Sequence, residues 1–226
     1  MDRDGPWTPR LLAAHAALVP VQAGVLLLDS VPVALAFALA SRAAYIGYVS
    51  VVLRRQDRDG TYSRRFGAEP AHRRFRAVAM LLMNNDAVAI ALACLAGRGT
   101  LEVPGPTWVP YAAGAALVAA GAGIKVWAAR SLPDGAFTWR SFFVPPTESK
   151  WVAVGPYRWL DNPMYTLGYL HAWGIALALR SVPGLIAAGV ANAGILLVQY
   201  TVERPHTERM RRRTMEKAAA EGDSAR

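Results

Sequence analysis

Long apolar runs separated by short, charged connections dominate the pattern of this chain, and six stretches approach the length of about 20 mostly apolar residues that a membrane-spanning helix needs. They cover residues 11–28, 31–53, 77–97, 111–130, 164–179 and 184–202. The first and fifth are the shortest, and the first contains His15 and Pro20, so a tilted or partly interfacial placement is open to it. Acidic Asp2 and Asp4 precede that run and further apolar helices follow it, which argues against a cleavable signal. The expected fold is all-α: a polytopic transmembrane helical bundle of about five to six spans. It is read as one domain over residues 1–226, with an extra apolar helix within 1–30 and a polar tail at 214–226, frayed from 218 onward.

Charge sharpens this picture. The chain is 54% hydrophobic yet carries a formal charge of +9, a combination explained by segregation of arginines into the connections. Between the second and third spans lie Arg54, Arg55, Arg58, Arg64, Arg65, Arg73, Arg74 and Arg76, opposed only by Asp57, Asp59 and Glu69. The positive-inside rule puts that connection in the cytoplasm. Counting outward, the connection with Arg140, Lys150 and Arg158 and the tail with Arg209 and Arg211 to Arg213 fall on the same side, and the sparsely charged 98–108 falls opposite. The expected location is a cell inner membrane type, with the site facing the cytoplasm. Arginines beside apolar spans point to anionic lipid as partner, and no nucleic-acid recognition module is present in the sequence. The single cysteine, Cys94, lies in an apolar run and reads as a core residue; no spacing suggests zinc or another metal.

Polar groups inside apolar runs are costly unless partnered, which makes them pointers to function or to specific packing. Arg42, the Asn84-Asn85-Asp86 run, Lys125 and His171 qualify, with Asp86 a candidate partner for Arg42; Lys125 and Arg130 can also snorkel. Gly121-Ala122-Gly123 lets a helix or a ligand approach the fourth span closely, helix packing being the commoner cause. The connection 132–163 is long for such a bundle and rich in aromatics (Phe137, Trp139, Phe142, Phe143, Trp151, Tyr157, Trp159), which suit a membrane interface.

The densest cluster is Gly155-Pro156-Tyr157-Arg158-Trp159-Leu160-Asp161-Asn162-Pro163-Met164-Tyr165, followed by Gly168. Pro163 suits a first helical position and Asn162 an N-cap, which would leave Asp161 at the mouth of the fifth span, where free N–H groups favour an anion. The last span ends in Glu203-Arg204-Pro205-His206-Thr207-Glu208, on the same side by the count of spans. A solvated, salt-bridged helix end is the plain alternative for Glu203 and Glu208.

These motifs resemble the membrane methyltransferases, and within them the phosphatidylethanolamine N-methyltransferase or phospholipid methyltransferase family, related to the isoprenylcysteine carboxyl methyltransferases. Leu160-Asp161-Asn162-Pro163-Met164-Tyr165 looks like the Leu-Asp-Asn-Pro-Met-Tyr of the phosphatidylethanolamine branch, where the isoprenylcysteine branch typically has Arg-His-Pro. Gly121-Ala122-Gly123 looks like the family's Gly-x-Gly, and Glu203-Arg204-Pro205 stands where the family has Glu-Glu-Pro; Ser63-Arg64-Arg65-Phe66-Gly67 resembles a Ser-Arg-x-Phe-Gly stretch. Arg204 is a departure, which Glu208 offsets only if the helix continues.

The resemblance implies N-methylation of the phosphatidylethanolamine head group, or its mono- and dimethyl forms, with S-adenosylmethionine as donor and the phospholipid entering from the bilayer. It also implies a cofactor site involving Gly121, Gly123, Tyr157, Arg158, Asn162, Pro163, Tyr165, Gly168, Glu203 and Arg204. Asp161, Glu203 and His206 are the candidates for relieving the head-group amine of its proton, all three left open. The rivals are an isoprenylcysteine-type carboxyl O-methyltransferase, or one acting on another lipophilic molecule, and a non-enzymatic membrane lipid-binding protein. Oligomeric state and the number of methylation steps are not legible.

Overall fold

A computed structural model describes residues 9–132, 138–144 and 154–224. All regular elements among them are helical: α1 (Pro9–Leu28), α2 (Val31–Asp59), α3 (Thr61–Phe66), α4 (Ala68–Ala96), α5 (Trp108–Arg130), α6 (Leu170–Ala178), α7 (Val182–Val198) and α8 (Arg204–Ser224). The all-α expectation holds. Four helical segments are long and apolar enough to cross a membrane: Val31–Asp59, Ala68–Ala96, Trp108–Arg130 and Val182–Glu216. The first and fifth apolar stretches, the shortest in the sequence, form the shorter apolar helices Leu12–Leu28 and Leu167–Ala178.

Local chemistry sets the boundaries. Ser181 Oγ accepts the Gly184 N–H at 3.0 Å and Pro183 occupies the first turn, so α7 begins abruptly. α2 stops at Gly60, whose φ of 59° lets its N–H reach Gln56 O at 2.9 Å; that left-handed conformation is cheap only for glycine. α5 and α6 pack backbone to backbone: a Cβ on Gly114 would meet Gly174 O at 2.6 Å, and one on Gly121 would collide with the His171 backbone nitrogen. Cys94 is fully buried, as its apolar setting indicated.

Two ends of the bundle are chemically distinct. At one, Arg98 pairs with Asp29 at 3.0 Å, Gly99 N–H donates to Leu179 O at 3.0 Å, and Val182 N–H to Thr100 Oγ1 at 3.0 Å. At the other, Gln56 donates to Phe142 O at 3.1 Å, His72 Nε2 to Thr138 O at 3.1 Å, and Arg54 to Thr201 at 3.0 Å, while Arg140 pairs with Glu69. The arginine-rich connection, residues 138–144 and the start of α8 therefore share one end, opposite 98–108, as the alternation of basic and neutral connections required. Phe137, Lys150 and Trp151 lie outside the described residues.

The structure corrects two boundaries. The fifth span does not begin at Pro163: residues 163–166 form turns, Leu167–Tyr169 a short 3-10 segment, and the α-helix starts only at Leu170. Nine α-helical residues rise about 14 Å, under half of a hydrocarbon core of about 30 Å. The tail read as frayed is instead helical through Ser224, because the last apolar helix runs on into α8.

Candidate active site

The turn preceding α6 is built from its own polar atoms. Asn162 Oδ1 accepts the Tyr165 N–H at 3.2 Å, so this residue caps a turn in the manner expected for a helix. Gly168 N–H donates to Pro163 O at 2.8 Å, His171 Nδ1 to Gly168 O at 2.6 Å, and Asn192 Nδ2 to Tyr165 O at 2.7 Å. These bonds satisfy the backbone where the helix is missing. Upstream, Gly155 adopts φ of 56°, and a Cβ there would strike the Ser131 hydroxyl. The turn 155–158 is thereby pressed against the end of α5.

From this turn Tyr165 reaches across to the last long helix, its hydroxyl donating to Glu203 Oε1 at 2.9 Å. Trp139 hydrogen-bonds the same carboxylate. Glu203 ends a five-residue π turn, Gln199–Glu203, that links α7 to α8. Such single π turns rotate the following residues relative to the helix before them and recur at functional sites. One turn earlier, buried Gln199 leaves Oε1 without a partner among the described residues. Tyr157 lies close enough for the charge of Glu203 to act on it. Burial first, and that charge second, push its phenol up to about 12. Glu203 is thus held by neutral donors, with no salt bridge to it among the described residues.

A second polar layer lies deeper. Arg42 Nη2 pairs with Asp86 Oδ2 at 2.7 Å and donates to the Tyr169 hydroxyl at 3.0 Å, with both side chains of the ion pair about 95% buried. Lys125 does not snorkel away: its Nζ sits 5.0 Å from the centre of the Tyr169 ring. Tyr45 is within electrostatic range of Tyr165, Glu203 and Asp86. Asn85 extends the layer, donating to Ser41 at 3.0 Å and accepting from Gln22 at 2.9 Å, while Asn84 meets His15 at 3.1 Å.

Among the residues singled out in the sequence, Glu203, Tyr165 and Tyr157 come together. Gly121 packs on the α6 backbone and Gly168 on the Lys125 side chain, where a Cβ would come within 2.9 Å of Cγ, whereas Gly123 faces open space. Pro163 is fully buried. Arg158 and Asp161 are exposed and form no hydrogen bond or ion pair among the described residues. Arg204 points outward and pairs with Glu208 at 3.1 Å, one turn on along a helix that does continue. His206 turns the other way: Nδ1 donates to Asp57 Oδ1 at 2.7 Å, and its ring stacks on Phe142 at 3.7 Å between centroids. Trp139, Gln199, Tyr45 and Tyr169 were not singled out as site residues. Trp139 carried a signal only as one ring among seven in an aromatic-rich connection; Tyr169 follows Gly168 directly and Gln199 precedes Glu203 by one turn, so adjacency to those motifs was the signal available for them, whereas Tyr45 lies in an apolar run.

Residues 109–213 match the phospholipid methyltransferase family model. A phosphatidylethanolamine N-methyltransferase of Phaeosphaeria nodorum is 35% identical over 91 residues, 38% of this chain and 10% of its own length. That of Malassezia globosa is 30% identical over 158 residues, 67% of this chain and 16% of its own length. That of Pyricularia oryzae is 29% identical over 137 residues, 60% of this chain and 14% of its own. The chain therefore spans only 10% to 16% of the length of these relatives. No solved structure matches it. Gly121, Gly123, the whole turn 155–168 and Glu203 all lie inside the segment of this integral membrane protein that is similar to the phospholipid methyltransferase family.

Proposed function

We propose that this protein transfers a methyl group from S-adenosylmethionine to the amine head group of phosphatidylethanolamine, or of its mono- and dimethyl forms, at the arginine-rich end of the bundle. The observation that carries the proposal is Glu203: a partly buried carboxylate held by Tyr165 and Trp139, with no ion pair to it among the described residues. Such a carboxylate is charge-complementary to both cationic reactants, the donor and the head-group ammonium. The names of the relatives, phosphatidylethanolamine N-methyltransferase, agree with that substrate class.

The residues present fit the donor. Glu203 offers an anion to its ammonium group, Gln199 an unused acceptor, and Tyr157, Tyr165 and Trp139 aromatic faces for a cation. When bound, S-adenosylmethionine supplies a methyl group on sulfonium, already activated toward a nucleophile. The task left to the protein is alignment and exclusion of water. The Tyr165 hydroxyl fixes the rotamer of Glu203, and Asn162 and Asn192 fix the backbone that carries Tyr165. Tyr157 keeps its proton throughout the physiological range and acts as a donor. In the transfer, nitrogen bonds to the methyl carbon as the carbon–sulfur bond breaks. The amine must first lose a proton, and exposed Asp161 is our candidate to accept it and pass it to water. Positive-inside counting supports a cytoplasmic face for this end, and we assign the bilayer to the inner membrane type.

An isoprenylcysteine-type substrate would bring a carboxylate toward Glu203, and that like-charge approach disfavours this rival. A non-enzymatic lipid-binding protein would show no saturable binding of S-adenosylmethionine. Replacing Glu203→Gln should weaken that binding roughly 10- to 150-fold, the range of about 1.5–3 kcal/mol that a charged hydrogen bond carries. Isothermal titration in nanodiscs that found the affinity unchanged would remove Glu203 from the donor site.

A further inference from the structure

We propose that the cleft between the C-terminal turn of α2 and the first turns of α8 binds the phosphate of an anionic phospholipid, at a place separate from Glu203. The cleft encloses about 380 Å³ and is lined by Asp57, Arg58, His206, Arg209, Met210 and Arg213. Its α8 members recur at spacings of three, one and three residues, so they form one face of that helix.

The charges of this face do not cancel internally. Asp57, its single carboxylate, is fully engaged: Oδ1 accepts from His206 and Oδ2 from Arg209. Among the described residues Arg58 pairs only with its exposed neighbour Asp59, at 2.9 Å. Arg213 has no ion pair or hydrogen bond among the described residues. His206 is 7% exposed, and its Nε2 is buried without a partner. Arg213, and the N–H groups that Arg58 and Arg209 do not spend on Asp59 and Asp57, are therefore the donors this face keeps for a phosphate.

The location favours a lipid as the source of that phosphate. The cleft opens where the segment Val182–Glu216 passes from apolar to basic sequence, and Leu197 and Tyr200, in the apolar turns of that segment that precede it, are 58% and 56% exposed. Exposed apolar side chains followed by a basic cleft on one helical segment match a head group still attached to its chains at the membrane boundary. Met210 adds an apolar patch within the cleft.

Binding of dioctanoyl phosphatidylglycerol to the full chain in detergent, followed by native mass spectrometry, tests this without depending on methyl transfer. Dioctanoyl phosphatidylcholine and inorganic phosphate serve as parallel probes. Saturable binding of the anionic lipid in preference to both is expected. Arg58→Gln and Arg213→Gln, both on exposed side chains, should each weaken it about fivefold, and together about 25-fold, with unchanged affinity for S-adenosylmethionine. An affinity for the anionic lipid untouched by the double substitution, or zwitterionic-lipid binding that falls just as far with it, overturns the proposal. Inorganic phosphate binding as well as the lipid also overturns it, assigning the cleft to a soluble anion.

Discussion

Tyr165 and Glu203 illustrate how a single residue can be placed by sequence while its role is not. Both were visible from the motif, yet the bond between them spans 38 positions and two helices. In the proposed donor site this bond holds the carboxylate in one rotamer, so on that proposal Tyr165→Phe should cost about 1 kcal/mol of donor affinity, about fivefold, while leaving the fold intact. Titration of the variant beside a thermal scan separates the two effects, and a large loss of stability would mark the bond as structural. Arg42 and Asp86 were legible as a pair, because a guanidinium in an apolar run demands a partner. The third member, Tyr169, was not, since a tyrosine there reads as an ordinary interfacial ring. Removing one charge strands the other: Arg42→Leu should destabilise by about 3–5 kcal/mol, and adding Asp86→Leu should restore most of it. Thermal unfolding of single and double variants in one detergent checks this, and a double variant no better than either single one would show that the pair is not the unit of stability.

At the scale of elements, the glycine motif divides into two different roles. Gly121 and Gly123 lie on nearly opposite sides of α5, so one helix cannot turn both toward the same neighbour. The structure puts Gly121 on the α6 backbone and Gly123 toward open space. Gly121→Ala should therefore force α5 and α6 apart and cost roughly 1–3 kcal/mol, whereas Gly123→Ala should leave stability unchanged. If Gly123→Ala also leaves donor affinity unchanged, Gly123 falls out of the cofactor site; if Gly121→Ala is silent in unfolding, the close packing described here is wrong. The start of the fifth apolar stretch was misplaced for a related reason. Asn162-Pro163 carries a sound helix-start signal, but the side chains of Asn162, His171 and Asn192 satisfy the backbone as a turn, which local sequence does not reveal. The π turn at Gln199–Glu203 was equally invisible, because a one-residue offset leaves the hydrophobic pattern of a long helix almost unchanged.

For the whole molecule, long apolar runs and the clustering of arginine sufficed to reveal the helical bundle and its two unlike ends, because both follow from the cost of polar groups in hydrocarbon. The site was legible only as separate motifs. Their convergence depends on Trp139, delivered from a connection that has no periodicity, and on the crossing of α7 and α8 past the turn before α6. The same layout makes a topological prediction: a cysteine introduced at Thr100 in a Cys94→Ser background should be labelled from the side opposite one introduced at Ser63. Labelling of both from the same side would contradict the alternation of ends.

The most direct test is methyl transfer from labelled S-adenosylmethionine by the purified protein in nanodiscs. Phosphatidylethanolamine, its mono- and dimethyl forms and a prenylcysteine are offered in parallel, with the lipid products resolved by mass. Label on one or more of the amine lipids, lost or strongly reduced in Glu203→Gln, is the predicted result; label on the prenylcysteine alone, or transfer to amine lipids that is indifferent to Glu203→Gln, would contradict it.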